Sequence, residues 1–587
     1  MNHDRTQLFL GAEKVCFAFL LPAVLIAVAT IGCGRVAVQE PGPGSIGQTQ
    51  TSDDITAEDL AAHTRALSDD AMMGRGPGQE GEAVTLEYLQ TAFDRIGLVP
   101  KGDSTLPGAS PGSPKYLQKV ELVGIKADAE SASLVFRRPA EGLLLDLEHG
   151  RDFVTRTTIP KEVVDISGGV VFAGYGVDAP EEGWSDFGDI DVTGKILLVL
   201  AGEPPIEDPE RFGGEAMTYY GRWSYKIEEG ARRGAAGVLL IHDPGTASYT
   251  WDVIKSRTGE ALQKTDRSVL PPRTQFQGRI SGDAAARVFQ ITGLDLDELT
   301  AAAKQESFTA IDLGITGSGH LDNTIRQVTS YNVVGAVEGS DPEHAEEHII
   351  FVGHWDHLGV GEEDDGDAIY NGAIDNAIGT AALLEVAEAW ASAEPAPRRS
   401  ALFIASTAEE SGFLGVVSYI ENPVVPLAKT LAAINIDGVN VWGPTEDVWI
   451  VGMGLTTLEE DLAAALEARG RYLSPDPAPE EGNFFRSDHF PFALVGIPAL
   501  CVRPGTTFVG KPDGFGRDVW VDYYSNNYHR PSDEFDESWD FNSTAQDVVV
   551  MLEVALRVSA SDAWPAWYAG NEFKATRDAM LQSATAP

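Results

Sequence analysis

Three apolar runs in the C-terminal half of the chain each lead straight into ionisable residues. Residues 349–353 run into His354-Trp355-Asp356, residues 402–405 run towards Glu409-Glu410, and residues 433–436 run into Asp437. Short apolar runs bounded by turn residues read as buried strands. With these runs extended to strands at 401–405 and 431–436, a further strand at 332–337 and a helix over about 378–391, strands alternate with helices from residue 331 onward. Alternation of this kind predicts an α/β fold, a doubly wound mixed sheet with helices on both faces. In such sheets ligands gather at the carboxyl ends of strands, which is where these charged residues fall.

Carboxylates and imidazoles delivered from separate strands converge there, and Asp375 at a helix start and His529 in a late loop complete the cluster. Zinc takes nitrogen and oxygen ligands, and two ions about 3.5 to 4 Å apart share a carboxylate and polarise one water. The residues fill both sites if Asp375 bridges, His354 and Asp437 complete one, and Glu410 and His529 complete the other. Glu409 is left beside the water as general base. Asp356, two residues after His354, is placed to accept the other imidazole N–H and fix its tautomer. His357 and His489 fall outside this ligand set, since five ligands with one shared leave each ion an open position. His63, His149, His242, His320, His344 and His348 show no partner pattern and read as surface or core histidines.

A chain of 587 residues exceeds what one core supports, so two or three domains are expected. Asp and Glu number 89 against 43 Lys and Arg, a formal charge of -46. Nucleic acid is excluded as a partner on that balance, because phosphate binding needs basic stripes. The excess reads as a solvated acidic surface.

At the N-terminus, His3, Arg5 and Lys14 precede an uncharged apolar run over 15–31 that ends at Gly32-Cys33, a signal-peptide layout. Thr30-Ile31-Gly32-Cys33 resembles a bacterial lipobox, which implies lipidation of Cys33 and anchoring in the membrane, with residues 1–33 as signal peptide. An uncleaved anchor is the alternative, since about 17 apolar residues is the lower limit for spanning a bilayer. Either way the rest lies outside the cytoplasm: a cell-envelope protein, as an outer-membrane lipoprotein facing the periplasm or exterior, or else secreted. Cys16 and Cys33 belong to the leader, so a processed chain keeps Cys501 alone, in an apolar stretch that reads as a packing site. Residues 34–51 are rich in Gly, Pro, Gln and Ser and read as a flexible tether.

Ala83, Leu86, Leu89, Phe93 and Ile96, stopped by Gly97, mark an amphipathic helix in a segment 52–150 that belongs to the C-terminal body. Between about 160 and 315 the pattern changes to short β-rich runs, with a helix over 226–233 and a buried strand after Gly234. Gly174-Tyr175-Gly176, then residues 194–199, then residues 231–239 resemble in order the protease-associated domain inserted in many secreted peptidases.

Residues 353–359, Gly372-Ala373-Ile374-Asp375-Asn376 through Gly379, Glu409-Glu410, Asn435-Ile436-Asp437 and Tyr528-His529-Arg530-Pro531-Ser532-Asp533 resemble the aminopeptidase Y and bacterial leucyl aminopeptidase-like zinc peptidases. Met73-Gly74-Arg75 and the helix before Gly97 resemble that family's N-terminal segment. The resemblance implies a catalytic domain over 325–587, two zinc ions on His354, Asp375, Glu410, Asp437 and His529, Glu409 as base, and removal of N-terminal residues from peptides. It also implies a bent connection at Asp375-Asn376, often with a cis peptide, and a substrate-side segment at 485–490 that includes Asp488 and His489. Ile378 departs from the family, where Ser is commoner, and is expected to affect helix packing only. The acidic run 362–367 is positioned to attract a cationic substrate terminus. Two rivals remain: a carboxypeptidase of the same clan, with Arg486 or Arg503 holding the terminal carboxylate, and a binding protein that keeps the fold without the metals.

Overall fold

Strand His348–His354 lies between Ser400–Ser406 and Thr430–Asn435 and runs parallel to both, placing Phe351 level with Phe403 on one side and Ile434 on the other. Thr430–Asn435 pairs in parallel with Ala499–Pro504. Antiparallel strands extend the sheet on both sides: Ile311–Val337 against Ser400–Ser406, Leu117–Ala127 against Ile311–Val337, and Asp447–Ile450 against Ala499–Pro504. This computed structural model describes residues 54–206, 208, 211–243, 251, 254, 260–266 and 271–585. The expected signal peptide with Cys33 and the expected tether over 34–51 lie outside the described residues. Among the described residues, no helix is long and apolar enough to cross a membrane.

Alternate side chains of these strands enter two different cores, because successive residues of a strand face opposite ways. Phe351 and Phe403 pack with Leu60, Phe93, Leu384, Trp390 and Val554, from helices Ala57–Leu67, Glu82–Ile96, Ile378–Ser392 and Phe541–Ala560. Ile350, Val352, Leu402 and Ile404 pack with Val416, Tyr419 and Phe492, from helices Leu414–Glu421 and His489–Leu494. The sheet is therefore doubly wound, and its central strands read as unbroken apolar runs because both faces are covered. Helix Glu82–Ile96 ends where the pattern stops, at Gly97 with φ of 83°, a left-handed conformation that glycine adopts without a Cβ penalty. Ile378 is fully buried in the first core.

A second sheet contains Val163–Phe172, Ile196–Leu200, Gly237–His242 and Phe276–Ser281, all parallel neighbours in that order. Its other strands reach back to Ser133–Arg138, Leu143–Leu147 and Phe153–Arg156, so the pairing begins well before residue 160, where the sequence pattern changes. The two sheets share one strand. Ile311–Val337 is 27 residues long, pairing over 311–312 and 316–322 with Val163–Phe172 of the second sheet and over 323–333 with Leu117–Ala127 of the first.

Candidate metal centre

His354 is the last residue of its strand, and Asp437 lies two residues past the end of Thr430–Asn435. Glu409 and Glu410 follow Ser400–Ser406 through Ala408, whose φ of 53° turns the chain back over the sheet edge. Asp375 sits in the turn Ala373–Ala377 ahead of helix Ile378–Ser392, and the Asp375–Asn376 peptide is cis. Gly379 lets this turn close on the sheet: a Cβ there would meet Asn376 Oδ1 at 2.0 Å and the Ile436 carbonyl at 2.6 Å. Asn376 Nδ2 donates to that same carbonyl at 2.9 Å. His529 follows helix Phe515–Asn526 with φ of 58°.

These residues form two adjoining groups around Asp375. On one side, His354 Nε2 lies 3.5 Å from Asp375 Oδ1, 3.8 Å from Asp437 Oδ1 and 4.0 Å from Glu409 Oε2. On the other, His529 Nε2 lies 3.1 Å from both Asp375 Oδ2 and Glu410 Oε2. Two ligands at about 2.0 Å in tetrahedral array are about 3.3 Å apart, so these spacings fit zinc-type coordination. The two oxygens of Asp375 face opposite groups. That is the arrangement a bridging carboxylate requires, and the donor set suits two divalent cations.

Residues 332–553 match the model of Peptidase family M28. The matched segment contains all five metal-ligand candidates and Glu409. Solved structures similar to this chain include an aminopeptidase from Aneurinibacillus sp. strain AM-1, at 18% identity and a TM-score of 0.49, covering 87% of this chain and 95% of that one. A Peptidase M28 precursor from Shewanella amazonensis matches at 20% identity and a TM-score of 0.42, covering 87% of this chain and 98% of that one. A zinc aminopeptidase from Bacillus subtilis matches at 17% identity and a TM-score of 0.41, covering 89% of this chain and 98% of that one.

Within the M28-matching segment, the groups that brace the cluster came from positions the sequence did not single out for that role. Asp533 accepts from the backbone N–H of Ile374 at 3.1 Å and of Asp375 at 3.2 Å, and from Tyr523 OH at 3.0 Å, cradling the Asp375 turn. Ser487 Oγ donates to Asp437 Oδ2 at 2.5 Å, and Arg503 Nη1 donates to the Asp437 carbonyl at 2.8 Å. His357, left outside the ligand set, pairs its Nδ1 with Glu410 Oε1 at 2.8 Å. Its signal was the spacing His354-x-x-His357. Outside the matched segment, fully buried Arg75 donates to four carbonyls: Leu67, Trp355, Asn371 and Gly372. It ties the His354 and Asp375 loops together.

Asp356 is placed differently from expectation. His354 Nδ1 lies 3.0 Å from the Asp356 carbonyl oxygen, whereas the carboxylate is 3.8 Å away and instead accepts from the Glu409 N–H at 3.1 Å. The main chain thus orients the imidazole, and the Asp356 side chain holds the loop that carries Glu409. Asp488 and His489 are both 0% exposed. Asp488 accepts from Ser406, and the His489 ring packs edge-on against Phe484 at 5.1 Å. By contrast, Asp375, Asp437 and His529 keep side-chain exposures of 12, 13 and 23%.

Burial raises every carboxyl here, yet the outcomes split. Asp375, Glu410 and Asp437 end below their ordinary range: His354 and His529 draw Asp375 down against burial and Glu410, His529 and His357 draw Glu410 down, and Arg503 and His354 draw Asp437 down. Burial wins at Glu409, which lies well above the usual carboxyl range, at Asp356, pushed up to about 7, and at Asp488, pushed up to about 6. Against burial, Glu410 and Asp375 lift His529 to about 10, and Glu409 with Asp375 and Asp437 lifts His354. The three carboxyls that favour ionisation are the three proposed from sequence as metal ligands. Separation of this kind marks groups with different jobs.

Proposed function

We propose that this chain is a two-zinc aminopeptidase that removes N-terminal residues from peptides. His354 and Asp437 would hold one ion, Glu410 and His529 would hold the other, and Asp375 would contribute to both. Zinc bound there supplies a Lewis acid and a water more acidic than bulk water. Glu409, beside the His354 and Asp437 group, takes the proton from the attacking water and passes it to the departing amine. Asp356 fixes the Glu409 backbone, and Arg75 and Asp533 fix the turn that carries Asp375.

The observation that carries this reading is Asp375 with one oxygen towards each group, within a segment that matches Peptidase family M28. Intact ligands weigh against a metal-free binding protein. Arg503 is committed to Asp437, and Arg486 Nη2 donates to the Glu481 carbonyl at 2.6 Å, which weighs against either as a ready anchor for a substrate carboxylate. The test is release of free amino acids from unblocked and N-acetylated peptides. Cleavage restricted to unblocked peptides supports an aminopeptidase; equal cleavage of acetylated peptides favours the carboxypeptidase. Anchoring through Cys33 belongs to the same reading, and palmitate labelling that persists in Cys33→Ala removes it.

A further inference from the structure

One short segment of the second-sheet region is held rigidly from behind and reaches the first-sheet region in front. Behind, Thr218 N–H donates to Glu203 Oε1 at 3.1 Å, and Lys226 Nζ donates to the Tyr220 carbonyl at 2.6 Å. Tyr219 OH lies 2.8 and 2.9 Å from the two oxygens of Glu228, which Arg273 holds at 2.5 Å. Lys226 and Glu228 are each 1% exposed, so these anchors belong to that region's interior. In front, Met217 N–H donates to the Pro479 carbonyl at 3.0 Å. The Tyr219 ring packs against Phe485 at 5.6 Å and Phe490 at 5.5 Å.

Phe485 and Phe490 flank Ser487, and Ser487 does two things at the metal centre. Its hydroxyl accepts from Asn435 Nδ2 at 2.6 Å and donates to Asp437 Oδ2 at 2.5 Å. The oxygen of Asp437 turned towards His354 is the other one, Oδ1. A hydrogen bond to Oδ2 therefore selects which oxygen Asp437 presents to the cluster. Partners of this kind set ligand orientation and commonly change metal affinity by about 10- to 100-fold.

We propose that Tyr219 is a positioning residue of the metal centre: its ring clamps Phe485 and Phe490 so that Ser487 holds Asp437 with Oδ1 facing His354. The second-sheet region then has a defined role, as the buttress of a ligand-bearing wall. This rests on Asp437 being a metal ligand.

The experiment compares the full chain with Tyr219→Ala and Tyr219→Phe, reading amide hydrogen exchange over 483–490 and zinc affinity by chelator competition. Tyr219→Ala is expected to speed exchange over 483–490, leave 348–354 unchanged, and weaken zinc binding about tenfold. Tyr219→Phe, which keeps the ring and loses the hydroxyl's contacts to Glu228 and Ser224, is expected to match wild type in both readouts. Unchanged exchange in Tyr219→Ala, or faster exchange with wild-type zinc affinity, overturns the proposal. So does Tyr219→Phe behaving like Tyr219→Ala, since the hydroxyl and not the ring would then matter. A wild-type chain that takes up no zinc overturns the reading of Asp437 as ligand; normal zinc binding in wild type and Tyr219→Ala alike overturns the buttress alone.

Discussion

The two sheets handle buried acid in opposite ways. In the second, carboxylates receive their cations from the chain: Asp152 from Arg151 and Arg287, Glu228 from Arg273, and Glu229 from Arg232 and Arg233. At the strand ends of the first, six carboxyl groups, Asp356, Asp375, Glu409, Glu410, Asp437 and Asp488, converge on three imidazoles, His354, His357 and His529. Arg503 meets one of the six, and Arg75 spends its donors on carbonyls. Uncompensated buried charge is costly, and proteins retain it where a metal completes the set. The difference teaches that acidity alone says little; what matters is whether the fold supplies the counter-charge.

The largest expected effect separates chemistry from charge balance. Glu409→Gln should lower kcat by about 10²- to 10⁴-fold with zinc content unchanged, since it removes the base but no ligand. Peptide hydrolysis alongside metal analysis reads both. If zinc is lost with activity, Glu409 is a ligand and the division of roles is wrong.

Removing the cation should next expose the contrast directly. With zinc at about 1,000 times its dissociation constant, each site stabilises by about 4 kcal/mol. Chelation should therefore lower the unfolding midpoint of the first-sheet region and leave that of the second unmoved, as followed by hydrogen exchange during thermal or urea unfolding. Equal losses in both regions would break the comparison.

Arg75→Lys should cost about 2 to 4 kcal/mol, because a lysine cannot reach four carbonyls and leaves buried acceptors unpaired. Denaturant unfolding checks this, and zinc affinity should fall with it as the His354 and Asp375 loops loosen.

Arg75 also shows where sequence reading stops. The strand ends were legible because their apolar runs are buried on both faces, and His354, Glu410 and Asp437 follow those runs closely. Arg75 earns its role only when the fold brings it against residues 355, 371 and 372, and no local pattern announces that. The long strand Ile311–Val337 escaped notice over its first half for a different reason: Leu313, Ile315 and Leu321 alternate correctly, but glycines at 317 and 319 interrupt the apolar period. Asp356 lies beside His354, but which of its oxygens meets the imidazole depends on a backbone angle that spacing does not fix. Tyr219 lies in a segment with no periodic signal, and only packing against Phe485 and Phe490 reveals it.

The smallest effect belongs to the second sheet. Arg151 pulls the Asp152 carboxyl below its ordinary range against burial, with Arg287 and the Glu148 N–H helping. Because the folded value is depressed, its stabilisation is present above the unfolded carboxylate range, near 4, and is lost as pH falls through the folded value. Asp152→Asn should therefore cost about 1 to 3 kcal/mol at pH 7, with the gap closing in acid and zinc affinity unaffected. Urea unfolding at a series of pH values checks it, and a gap that widens in acid would reverse the sign.

The measurement that meets the central claim most directly is calorimetric titration of the metal-stripped full chain with zinc. Two zinc ions bound per chain, falling to one in His529→Ala, is the result this account predicts. A chain that binds no zinc, or binds the same number with and without His529, would contradict it.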